Sequence, residues 1–186
     1  IAQFYYGLNK AFKGLEIITV SDFARGLQQG YDSAYESLSN PEEGTIITVM
    51  RDVAQHALDI SNNGCNNYID FVKQIFNRAE ASLKSTKSIL KILKKSDVVD
   101  SGALGFVLLI QGVLNVIEQR HGGRIQTTHL DISYELEKIE NLNKDVDFII
   151  ENKFCTECAV VGQNINKKEL KSKIKDFGDS MVLAGS

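Results

Sequence analysis

A chain of 186 residues with 43% hydrophobic content can bury a real core, as one domain or as one domain plus a small second one. Its formal net charge of −3 and sequence pI near 5.7 give no basic footprint for nucleic acid. Three cysteines and no signal-peptide pattern argue against a disulfide scaffold and for a reducing cytoplasm.

In chain order, Ile1, Phe4, Tyr5, Leu8, Phe12 and Leu15 form a helical stripe from the first residue. No capping residue stands before them, so this helix is expected to begin upstream. Ser21 and Asp22 suit the start of the next helix, which turns Phe23, Leu27, Ala34 and Leu38 inward. Asn40, Pro41 and Glu43 suit the start of another, presenting Ile46, Met50, Val53 and Ala57, and Asn62, Asn63 and Gly64 punctuate its end. A further helix carries Tyr68, Val72, Ile75, Ala79 and Leu83, with a break near Thr86 before the lysine-rich segment 87–95, read as a solvated face. The segment from about Gly102 to Arg120 is apolar almost all round and is predicted to lie deep within the bundle. Its apolar run, Ala103 to Ile117, is too short for a membrane span and is interrupted by Gln111 and Asn115. The pattern over 1–121 is mainly α, an antiparallel helical bundle with short connections.

After His121-Gly122-Gly123 the character changes. Residues 122–146 read as a polar linker, with limited proteolysis expected first between Gly122 and Asp145, and 147–186 as the beginning of a small α/β domain. Within it KFCTECAVVG reads as a strand, KKELKSKIKDFG as a helix and DSMVLAG (179–185) as a short strand with nothing after it to pair against.

Two glycine-bearing helix starts carry the most chemistry: PEEGTIITV at 41–49 and VVDSGALGF at 98–106. A helix start offers unsatisfied N–H groups and the positive end of the dipole, and small residues let a phosphate approach the backbone. The competing explanation is that the glycines permit tight turns, with Thr45, Asp100 and Ser101 simply capping their helices.

The remaining polar candidates are weaker. Cys155 and Cys158 form a C-x-x-C, a spacing that can ligate zinc or form a redox pair, but on a strand the two side chains turn to opposite faces. Cys65 has no partner suggested by spacing. His56 falls on the polar side of its helix, His121 at a helix end and His129 in the linker, none beside a Ser or Cys in a nucleophile-base arrangement.

EGTIITVMRDVAQHA, the later VVDSGALGFVLLIQGV, and FCTECAVVG before KKELKSKIKDFGDSMVLAG together resemble the bacterial fatty-acid kinase catalytic subunit. Its nucleotide domain is related to the ADP-forming subunit of dihydroxyacetone kinases. The resemblance implies a barrel of antiparallel helices holding ATP at one rim, followed by an α/β middle domain. It places Gly44 and Thr45, and Asp100, Ser101 and Gly102, at the nucleotide rim. It implies Mg²⁺ as well, held by aspartates in motifs of the type DGDTG and GxRGNSG that lie before the first helix of this chain; neither motif occurs here. By the same resemblance Cys155 is a zinc ligand in the longer protein and a DegV-type fatty-acid-binding protein is the partner; a homodimer is a separate expectation. Two other readings stand beside it: a non-catalytic helical scaffold, and a zinc or thiol module centred on Cys155 and Cys158.

Overall fold

The computed structural model describes residues 1–120, 122, 154–178 and 181–183. The helices are α1 (Ala2–Phe12), α2 (Val20–Ser37), α3 (Ile46–Asn62), α4 (Tyr68–Ile89), the short α5 (Lys91–Ser96), α6 (Ser101–Arg120) and α7 (Lys167–Ile174), the last followed by a 3₁₀ turn at Lys175–Phe177. The first four pack consecutively, and α6 then lies against both α4 and α3, giving the expected helical bundle.

Local capping fixes the boundaries, and two starts differ from expectation. Helix α2 is capped by Thr19, ahead of Ser21, because Thr19 and Asp22 satisfy each other's backbone N–H in a capping box. Hydrogen bonds from Thr19, and then the nearby Arg25, hold the Asp22 carboxyl below its ordinary range. Helix α3 begins at the cap Thr45, after the Asn40–Glu43 segment. Asn67 caps α4 through its side-chain oxygen, and Gly64 ends the turn after α3 at φ +90°.

Glycines set the spacing of α1 and α2. Gly7 is buried against the Gln29 carbonyl and the Gly30 backbone, while Gly26 and Gly30 receive the rings of Phe12 and Phe4. Phe4 also meets Phe106 of α6 edge-on at 5.1 Å, so the first and last helices of the bundle touch through two rings. Phe71, Met50, Val53, Ile75 and Leu83 fill the space between.

Helix α6 corrects the expectation of all-round burial. Phe106, Val107, Ile110 and Leu114 are buried, whereas Gly105, Leu109, Gly112, Val113 and Val116 are exposed. Its neighbours α3 and α4 cover one side only. By length and composition it is the one helix among the described residues that could cross a membrane. Its inward side instead completes the core and includes Glu118, which receives a 2.8 Å ion pair from Lys73 of α4.

The break after α4 falls at Leu90, not Thr86, which is wholly buried inside the helix with its hydroxyl donating to the Leu83 carbonyl. Helix α5 ends on Asp97 in the left-handed region, φ 52°. An L-residue with a side chain is disfavoured there. Asp97→Gly is therefore expected to raise stability by about 0.5 kcal/mol and Asp97→Val to lower it by about 1–2 kcal/mol, read from chemical denaturation midpoints.

The C-terminal residues dock on the end of α2. The Lys171 ammonium donates to the carbonyls of Leu38 and, at 3.4 Å, Glu36. This places a cation on a helix end that carries no basic residue of its own in its last turn. The Ser39 N–H donates to Met181 O and the Leu183 N–H to Ser37 O, each at 3.0 Å, so Val182 forms an antiparallel bridge with Leu38. The predicted last strand thus has a partner after all, although only as a single bridge.

The strand predicted at KFCTECAVVG is not formed: residues 154–162 are exposed and without regular structure. Among the described residues no strand lies beside them to take up their backbone groups, and an unpaired strand gains nothing over solvated coil. The α/β unit is accordingly not formed among the described residues. The linker, apart from Gly122, and residues 147–153 lie outside them.

Candidate functional site

The two helix starts singled out from sequence come together. A methyl on Gly102 would stand 3.5 Å from Cβ of Ile46, the first residue of α3, so the starts of α3 and α6 are within van der Waals reach. The end of α4 closes the same rim: a methyl on Gly44 would lie 2.9 Å from Ile89 Cβ and 3.1 Å from Leu90 Cγ. Gly44 has φ +85°, so both its backbone and its space require glycine.

Several groups at this rim are committed internally. The Gly44 N–H donates to Thr48 Oγ1 at 2.8 Å, and that hydroxyl donates to Glu43 Oε2 at 2.7 Å. Glu43 is held further by Arg51, which bridges to Asp52 at 3.2 Å; Asp52 in turn receives Arg78 at 3.1 Å and the Ser82 hydroxyl at 2.8 Å. Partial burial works against the Arg51 charge, but the Glu43 and Asp52 carboxylates outweigh it and raise its pKa above the ordinary arginine value. Thr45 Oγ1 donates to the Glu42 carbonyl at 2.7 Å and accepts from Ile47 N–H at 3.4 Å, a long cap contact.

At the second start Asp100 Oδ1 accepts from the Ala103 N–H at 2.8 Å, and the Asp100 N–H donates to the buried Thr86 Oγ1 at 3.1 Å. Asp100 is thus a cap, anchored through Thr86 to α4. Both Thr45 and Asp100 do cap their helices, as the simpler reading holds. Capping leaves the N–H groups of Thr45, Ile46, Ser101 and Gly102 without hydrogen bonds among the described residues, with Ser101 and Gly102 exposed. These four donors lie at the positive ends of two adjacent helices, where backbone N–H groups favour negative charge.

Sequence reasoning missed Thr48, Arg51 and Thr86, the side chains that hold the two turns. The i to i+4 spacing from Gly44 to Thr48 was available in the sequence; the link from Thr86 to Asp100, across α5, was not. Among the described residues no three His, Cys, Asp or Glu side chains form a metal-ready group. Cys155 and Cys158 are exposed, and Cys65 is half-buried near the Asn67 carbonyl and the Gln74 amide. His56 is half-buried on α3; His121 and His129 lie outside the described residues.

The described part of the chain is thus an antiparallel helical domain with two adjacent helix starts at one rim. The family model of the DAK2 domain matches residues 1–115, and the chain belongs to that dihydroxyacetone kinase-like family. It is similar to uncharacterized proteins of Staphylococcus saprophyticus, at 30% identity, and of Staphylococcus epidermidis and Staphylococcus aureus, each at 29%. In each case the match covers 98% of this chain and 34% of the relative, so the chain spans about a third of the length of these relatives.

Proposed function

We propose that this helical domain supplies the ATP contacts of a cytoplasmic kinase of the fatty-acid kinase type. The reading rests chiefly on the four open N–H groups at the adjoining starts of α3 and α6. Thr45 and Ile46 on one side, and Ser101 and Gly102 on the other, orient a phosphate chain through backbone donors. Gly102 adds no side chain at a point where a methyl would stand 3.3 Å from Asp100 Oδ1, and Gly44 and Asp100 hold the two turns in place. Bound ATP supplies the transferable γ-phosphoryl group, which passes to a substrate carboxylate oxygen in forming an acyl phosphate; ADP leaves.

In this reading the Mg²⁺ ligands are the aspartates of the family's DGDTG- and GxRGNSG-type motifs, which this chain does not contain. A DegV-type carrier as source of the acyl group, a homodimer, and zinc on Cys155 in the longer protein belong to the same reading. A dihydroxyacetone-like hydroxyl is the other acceptor consistent with the family.

In an NMR titration of this chain with ATP, the amides of Thr45, Ile46, Ser101 and Gly102 should shift together with weak, saturable affinity. Gly102→Val should abolish the response and leave the helical circular dichroism intact. Asp100→Ala should weaken binding and cost about 1 kcal/mol of stability as well, because it removes a cap. Shifts confined to other residues, or loss of binding only in step with loss of helix, would return the rim to a purely structural role and favour the scaffold reading.

A further inference from the structure

A cavity of about 590 Å³ opens between α1, the end of α2 and α7, and none of the rim residues Gly44–Ile46 and Asp100–Gly102 lines it. Lys10, Lys167, Lys168 and Lys171 line it, against Glu36 as the sole acidic residue among the described residues of its wall. That is a local excess of positive charge in a chain whose net charge is −3. Lys171 is fixed by the carbonyls of Leu38 and Glu36, and so neutralises the negative end of α2 at the cavity wall. The ammonium groups of Lys10 and Lys168 have no hydrogen bond or ion pair among the described residues. Like charges held around one cavity repel, and an anion entering it relieves that repulsion.

The other lining groups narrow the class of anion. Tyr6 and Tyr35, 41% and 43% exposed, present phenol rings beside the lysines, and Ser33 and Ser39 add hydroxyls. Flat apolar faces beside several cationic donors suit a ring-bearing molecule that carries a doubly charged group. The volume lies within the range of small-molecule sites, roughly 300–1,000 Å³. We propose that this cavity is a binding site for a small aromatic phosphate ester, its phosphate held by Lys10 and Lys168 and its ring against Tyr6 and Tyr35. The site shares no lining residue with the nucleotide rim and does not depend on that reading.

The test is an NMR titration of the whole chain with phenyl phosphate and, separately, with inorganic phosphate. Phenyl phosphate should shift Tyr6, Lys10 and Lys168 saturably and more tightly than inorganic phosphate does. The double variant Lys10→Gln/Lys168→Gln should weaken both ligands by about tenfold. Tyr6→Ala should weaken phenyl phosphate alone and bring it level with inorganic phosphate. Gly102→Val, which blocks the rim, should leave both titrations unchanged. No saturable response at these residues up to about 10 mM, or an undiminished one in the double variant, overturns the proposal. A response lost in Gly102→Val overturns it too, by placing the phosphate at the rim.

Discussion

Gly7→Ala is expected to destabilise the bundle by about 3 kcal/mol, because the added methyl has nowhere to go. It would press on the Gln29 carbonyl and stand 2.7 Å from the Gly30 Cα, and these are backbone atoms of a facing helix rather than the tip of a side chain that could swing aside. The two helices would have to separate, loosening Phe4 and Phe12 from the glycine face of α2. Thermal unfolding should fall by about 10 °C. The contrast is Gly105→Ala on α6, where nothing lies within 4 Å of the new methyl. There the usual helix preference for alanine should raise stability by about 0.5–1 kcal/mol. A neutral Gly7→Ala, or two alanine variants that behave alike, would show that α1 and α2 are not in close backbone contact.

Phe106→Ala should cost about 3–5 kcal/mol, the range for deleting a fully buried aromatic ring. Phe106 is 1% exposed and touches Phe4 edge-on, so its loss leaves a cavity and also unfastens α1 from α6. Phe4→Ala removes the same contact from the other side. The double variant should therefore lose less than the sum of the two single ones, with a coupling of about 1 kcal/mol measured by a denaturant cycle. Strict additivity would mean that the two rings stabilise the bundle independently.

Much of the helical part was legible because amphipathic periodicity and capping chemistry are written in neighbouring residues. Tyr68, Val72, Ile75, Ala79 and Leu83 mark one face of a single helix, and all but Tyr68 are buried on it. The errors there were of a few residues: Thr19 outcompetes Ser21 for the cap because Asp22 completes its box. The C-terminal piece was read less well. KFCTECAVVG has strand-like composition, yet a strand is defined by its partner, and none is paired with it among the described residues.

For the candidate site, the sequence by itself determined the chemical character of each half: a glycine-bearing helix start at Gly44-Thr45 and another at Asp100-Ser101-Gly102. It also carried enough pattern to identify the family. Only the tertiary structure decided that Gly102 lies against Ile46, that Thr86 ties Asp100 to α4, and which N–H groups remain open once the caps are made. It likewise decided that α6 keeps one apolar side bare and that lysines from α1 and α7 share one cavity. Local propensity acts over a few residues along the chain, whereas these arrangements join residues tens to more than a hundred positions apart, and only the packing of whole helices fixes which of them meet.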